Sequence, residues 1–185
     1  MAADCSGQRS LKEQQDIFKQ SLKDNGRTFT QQFVALPGKS EHQTGLAIDL
    51  GLKKESIDFI RPDFPYIGIC QQFREKSVPY GFIERYPREK EHITGIAHEP
   101  WHFRYVGTPH AEIMREHHFC LEEYIDFLKR FSQDQPYTFY KDSQEIQIFY
   151  LKADTESVSL EVAEDGSLSV SGNNVDGYII TEWRG

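Results

Sequence analysis

The sequence predicts an α+β chain, with a small antiparallel sheet carrying packed helices over residues 1–131 and a C-terminal antiparallel β unit over residues 132–185. Three observations predict it. Near the N-terminus an apolar stripe of helical period follows a capping-box pair, Ser10 and Glu13. Two hexapeptides, Leu46–Gly51 and Trp101–Val106, alternate between apolar and polar side chains. After Pro136 the chain changes to short alternating runs separated by turn residues.

The first helix places Leu11, Gln14, Ile17, Phe18 and Leu22 along one face, and Asn25-Gly26 is its expected end. In the first strand Leu46, Ile48 and Leu50 share one face while Ala47 and Asp49 share the other. Residues 52–68 are charged and proline-punctuated, which predicts a long surface loop. That loop is expected to cap a site and to set the length of what binds there. A short helix over Gln71–Pro79, a strand around Phe82-Ile83 and helices over 112–116 and 121–131 complete the first region. Runs at 146–150, 158–162, 168–170 and 178–180 predict an antiparallel meander, with turns at Glu164-Asp165-Gly166 and Asn173-Asn174.

Composition narrows the function classes. The 185 residues are 38% hydrophobic and 13% aromatic, too rich in core-forming side chains for a disordered chain. Twenty-one basic residues against 29 acidic ones leave a net charge of −8 and no basic patch, which argues against nucleic-acid and anionic-membrane partners. No apolar run reaches the roughly 18 residues of a membrane span, and the first ten residues lack the apolar stretch of a signal peptide. Cys5, Cys70 and Cys120 have neither zinc-knuckle spacing nor an even count, so they are expected as small hydrophobes in a reducing compartment.

Chemistry gathers on the two alternating strands. Asp49 shares a face with Ala47, and His102 shares one with Arg104. If the strands pair, a carboxylate and an imidazole converge on one point, which His42 can reach from the turn feeding the first strand. Two histidines and one aspartate leave an open position on a tetrahedral zinc ion, the arrangement of a catalytic site. Water bound there is acidified toward neutrality and becomes a nucleophile. Glu99 is the expected general base. Positions three apart on a regular strand face opposite ways, so the chain must bend between Glu99 and His102, and Pro100 favours the bend. A rival reading takes His98-Glu99-Pro100-Trp101-His102 as the helical H-E-x-x-H motif, with the metal on His98 and His102. Pro100 and the strand-forming residues that follow argue against that helix. His98 stays outside the expected site, and His92, His110, His117 and His118 are expected as solvated or capping groups.

The set Ser40-x-His42-x-x-Gly45-x-Ala47-x-Asp49, followed by Glu99-x-Trp101-His102, resembles the zinc D-alanyl-D-alanine peptidases that include VanX, VanY and the VanXY enzymes. The stretches Phe33–Pro37, His98–Gly107 and Ser171–Asn174 look most similar to the VanXY branch of VanG-type glycopeptide-resistance operons. The resemblance implies one zinc ion (Zn2+) per chain on His42, Asp49 and His102, with Glu99 as base. It also implies that Arg9, in a segment similar to the family's Ser-Gly-Tyr-Arg-Ser, stabilises the oxyanion, and that Ser40 contacts substrate. Gln8 stands where the family has tyrosine. Family members carry several tens of residues before this segment, so the chain is expected to be N-terminally short, lacking some core and a pocket wall.

The expected activity is hydrolysis of D-Ala-D-Ala, removal of the terminal D-Ala from peptidoglycan pentapeptide precursors, or both, by a cytoplasmic metallopeptidase acting on small peptides. An L,D-carboxypeptidase of the same family would carry the same metal motifs. A catalytically inactive zinc-binding module, as in the similar Hedgehog signalling domain, is the alternative from another class.

Overall fold

The computed structural model describes residues 2–153, 160 and 166–184. They divide into two compact units, Met1–Cys120 and Leu121–Gly185.

In the first unit β1 (Ala2–Ser6) leads into α1 (Leu11–Phe33). The capping box forms at the start of α1: the Ser10 hydroxyl accepts from the Glu13 N–H at 3.2 Å, and the Glu13 carboxylate accepts from the Ser10 N–H at 2.7 Å. Gly26 breaks the helix but does not end it. At φ 79° and ψ 175° it adopts a conformation that suits glycine, and helix resumes beyond it as far as Phe33. The Thr30 hydroxyl bonds the Gly26 carbonyl at 2.9 Å and lies 2.8 Å from the Ser21 hydroxyl, tying the two segments together.

A 3₁₀ turn, Glu41–Thr44, precedes β2 (Ala47–Leu52). Residues 53–67 hold no helix or strand, as expected of a loop, yet Phe64 from this loop is buried in the core. There follow α2 (Gly68–Ser77), β3 (Phe82–Tyr86), the single turn α3 (Glu91–Thr94), β4 (Glu99–Tyr105) and α4 (His110–His117). The sheet is antiparallel in the order β1-β2-β4-β3, so β1 adds an edge strand where none was expected. Its core face carries Leu50, Trp101 and Phe103, buried with Phe64 and Cys70, and Ile48, Leu52, Phe73 and Phe82 pack around them. Cys70 and Cys120 are buried, as composition suggests.

The second unit contains α5 (Leu121–Leu128), β5 (Tyr137–Lys141), β6 (Gln144–Lys152), β7 (Ser167–Gly172) and β8 (Gly177–Arg184). The division falls before α5 rather than after residue 131 because Phe127 and Phe131 pack on Tyr137, with ring centroids 5.1 and 5.3 Å away. The sheet order is β5-β6-β8-β7, not the simple meander expected: β8 inserts between β6 and β7. The Asn173-Asn174 turn forms, with the Asn173 side-chain oxygen accepting from the N–H groups of Val175, Asp176 and Gly177. The strand expected at 158–162 and the turn at 164–166 lie largely outside the described residues. No described helix is long and apolar enough to cross a membrane.

Candidate metal centre

Pairing of β2 with β4 sets Asp49 directly opposite His102, and the neighbouring pair Ile48 and Phe103 turns to the core face. Period-two alternation thus separates a greasy face from a chemical one. The bend inferred between Glu99 and His102 is present. On β3 Glu84 pairs with Phe103 and Tyr86 with Glu99, so Arg85 alone faces three residues of β4. This bulge lets Glu99 and His102, three positions apart, line one cavity of about 610 Å³. His42 enters from the 3₁₀ turn, which Gly45 closes at φ 73° by returning its N–H to the His42 carbonyl at 3.2 Å. Because β4 is a strand, His98 and His102 do not share a helical face. The His98 ring instead lies 2.7 Å from the Tyr66 hydroxyl, away from this cavity.

His42, Asp49 and His102 each offer a ligand atom within 4.8 Å of the others, and all three residues are buried. The His42 Nδ1–H donates to the Gly7 carbonyl at 2.7 Å, which turns Nε2 toward Asp49, 3.1 Å away. His102 Nδ1 lies 2.8 Å from the other Asp49 oxygen. Two imidazole nitrogens and one carboxylate oxygen form a donor set suited to zinc.

Arg9 crosses the same carboxylate. Its Nη2 donates to Asp49 at 2.6 Å and its Nε to the Ser6 hydroxyl at 2.6 Å. The β1–β2 register places Ser6 opposite Asp49, and the Arg9 N–H donates to the His42 carbonyl, so the segment is stitched to the site at two points. Ser40 is buried and lines the cavity beside Glu41. All six residues singled out in the sequence therefore border one cavity.

The electrostatics are those of carboxylates crowded around cations. Burial by itself would raise the Asp49 carboxyl, but hydrogen bonds from His102 and His42 hold it well below the usual range. Burial would lower the His102 imidazole, but its bonds to Asp49 and Glu41 bring it up to about 9. Burial pushes the Glu99 carboxyl up to about 8, against the lowering charges of His102 and Arg9 and with the charges of Asp49 and Glu41 adding to the rise. Among the remaining histidines His110 departs from the solvated reading, since burial pushes it down to about 4.

Sequence reasoning missed Glu41, Arg85 and Arg104. Glu41 pairs with Arg85 at 2.8 Å and Arg104 at 3.7 Å, and approaches His102 Nε2 at 3.4 Å. Burial would raise its carboxyl, but the His102 bond and the two guanidinium groups bring it to about 2. The signal available was its place between Ser40 and His42, on the turn that carries a candidate ligand.

The VanXYC bifunctional D-Ala-D-Ala dipeptidase and D-Ala-D-Ala carboxypeptidase of Enterococcus gallinarum is 54% identical over 123 residues, covering 66% of this chain and 65% of that protein. The chain thus spans slightly less than two thirds of this curated relative's length. The crystal structure of the vancomycin-resistance D,D-dipeptidase VanXYg in complex with a D-Ala-D-Ala phosphinate analog superposes with a TM-score of 0.96 at 55% identity, over 99% of this chain and 73% of that one. A mutant of the D,D-pentapeptidase VanY from the VanB-type resistance cassette, in complex with Zn(II), matches at a TM-score of 0.55 and 34% identity, over 67% of this chain and 71% of that one. The family profile described as VanY, D-alanyl-D-alanine carboxypeptidase, matches residues 1–108, more than half of the sequence, and the chain belongs to that family.

Proposed function

We propose that this chain is a zinc-dependent D,D-peptidase that hydrolyses D-Ala-D-Ala and removes the terminal D-Ala of peptidoglycan pentapeptide precursors. The observation that carries the reading is the convergence of His42, Asp49 and His102 on one cavity that Glu99 also lines. The reaction belongs to the first unit, with one zinc ion per chain held by these three residues. When bound there, the ion acidifies a water molecule and polarises the scissile carbonyl.

The other groups divide the remaining work. Glu99 takes the proton of the attacking water and delivers it to the leaving amine, a role that suits a buried carboxyl on the wall of the same cavity. Arg9 spends Nε on Ser6 and Nη2 on Asp49, which leaves Nη1 to donate to the carbonyl oxygen as negative charge develops on it. Ser40 offers a hydroxyl to the peptide from the cavity wall. Apolar lining from Phe33, Ile60 and Trp101 excludes water and accepts a methyl side chain.

The test is D-alanine release from D-Ala-D-Ala, a pentapeptide stem and a tetrapeptide stem, on protein of measured metal content, with chelated and zinc-restored samples alongside. Zinc-dependent release from the first two supports the reading. Release from the tetrapeptide alone assigns an L,D-carboxypeptidase. One zinc per chain with no release from any substrate assigns a binding module. A cytoplasmic location belongs to the same proposal and is checked by cell fractionation.

A further inference from the structure

We propose that Glu41, clamped by Arg85 and Arg104, is a positioning residue that keeps the Nε2–H of His102 directed at itself and so leaves Nδ1 for the metal. The inference rests on the reading that His42, Asp49 and His102 hold the ion. An imidazole ligates through a nitrogen that has lost its proton, and the other N–H then needs an acceptor to hold the ring. For His42 that acceptor is the Gly7 carbonyl, at 2.7 Å from Nδ1. For His102 the two ring nitrogens face two carboxylates: Nδ1 is 2.8 Å from Asp49 and Nε2 is 3.4 Å from Glu41.

The arrangement differs from a plain ion pair in how Glu41 divides its oxygens. Oε1 takes the Arg85 Nε at 2.8 Å, while Oε2 faces both His102 Nε2 and the Arg104 Nη1 at 3.7 Å. The two arginines come from different strands and fix the carboxylate from two directions. Arg85 stands opposite the β4 bulge, and Arg104 lies two positions beyond His102 on the same face. Tyr86 stacks on the His102 ring with centroids 5.2 Å apart, so the ring plane is held as well as its edge. One 3₁₀ turn thereby supplies a ligand at His42 and the anchor for a second ligand at Glu41.

The experiment is ¹⁵N-histidine NMR together with zinc-competition and cobalt titrations on the parent, Glu41→Gln and Glu41→Ala. Second-sphere partners of this kind are worth about 10–100-fold in metal affinity. Glu41→Ala is expected to lose about that much and to lose the protected His102 Nε2–H signal, with an altered cobalt spectrum. Glu41→Gln keeps an acceptor oxygen without the charge and is expected to fall between the two. Folded variants that bind zinc within about threefold of the parent, with the Nε2–H signal unchanged, would overturn the inference. If Glu41→Ala does not fold, Glu41→Gln decides by the same two readouts. A parent that binds no zinc counts against the proposed function, and the metal-free His102 Nε2–H signal still tests the Glu41 contact, whose absence there overturns this inference alone.

Discussion

Asp49 and His102 face each other across an antiparallel pair, with carboxylate oxygen and Nδ1 2.8 Å apart, while the second Asp49 oxygen is shared by Arg9 at 2.6 Å and His42 at 3.1 Å. One aspartate thus touches a cationic or imidazole partner from β4, from the 3₁₀ turn and from the N-terminal segment. Four pieces of chain meet at a single carboxylate, and the site's chemistry and its stability are coupled there.

A cation placed among these groups binds the folded chain and not the unfolded one. Removing metal with a chelator is therefore expected to lower the melting temperature, and zinc is expected to restore it. At free zinc a hundredfold above the dissociation constant the gain is about 2.7 kcal/mol. A melting curve that ignores both chelator and zinc contradicts a metal site in the first unit.

Glu99→Gln preserves shape and removes proton acceptance. D-alanine release should fall by about 10²–10⁴-fold while zinc content stays at the parent level. A variant that keeps turnover within about tenfold places the base elsewhere.

Arg9→Ala removes the proposed donor to the carbonyl oxygen and a contact to Asp49 together. Loss of one such donor costs about 10²–10³ in kcat. Arg9→Lys retains the charge without the planar fork and should recover only part of it. Steady-state kinetics on D-Ala-D-Ala checks this, and an effect confined to KM argues for ground-state binding instead.

Phe103 is fully buried at the centre of the sheet's core face, with Phe64 and Phe73 rings 5.5 and 4.9 Å away, edge-on. Phe103→Ala should destabilise the chain by about 3–5 kcal/mol, read by denaturant titration. Since its neighbour is His102, metal affinity should fall along with stability.

Burial holds the His110 imidazole at about 4, below its ordinary 6.5, so the folded chain favours the neutral ring. The unfolded chain binds the extra proton between these values. The stabilisation is fully present above about pH 6.5 and is lost as pH falls toward 4, by on the order of 3 kcal/mol. His110→Asn should flatten stability against pH across that window relative to the parent, whatever its effect at neutral pH. Parallel curves for the two proteins would show that another group sets the acid limb.

The site was more legible than the fold around it. Asp49 and His102 could be paired from alternation alone, because period two leaves a strand only two faces and the apolar residues claim one. The Glu99 bend followed from the same parity. What alternation could not show was β1: its five residues carry little pattern, and their pairing with β2 is a tertiary choice. Gly26 misled for a physical reason, since glycine at positive φ can stop a helix or merely kink it, and the Ser21–Thr30 contact that selects the kink is not local in sequence. Glu41 escaped notice because a charged residue on a turn reads as solvated until Arg85 and Arg104 arrive from other strands.

The two candidate imidazoles point opposite nitrogens at Asp49, Nε2 from His42 and Nδ1 from His102. They therefore reach the shared point with arms of different length, and their best amide surrogates differ. A glutamine carries its terminal polar atoms where Nε2 lies, and an asparagine carries them where Nδ1 lies. Position 42 should tolerate Gln better than Asn, and position 102 should show the reverse order. A pair of swaps that look equivalent on paper should thus give mirror-image results, with each histidine replaceable only by the amide that matches its own reach.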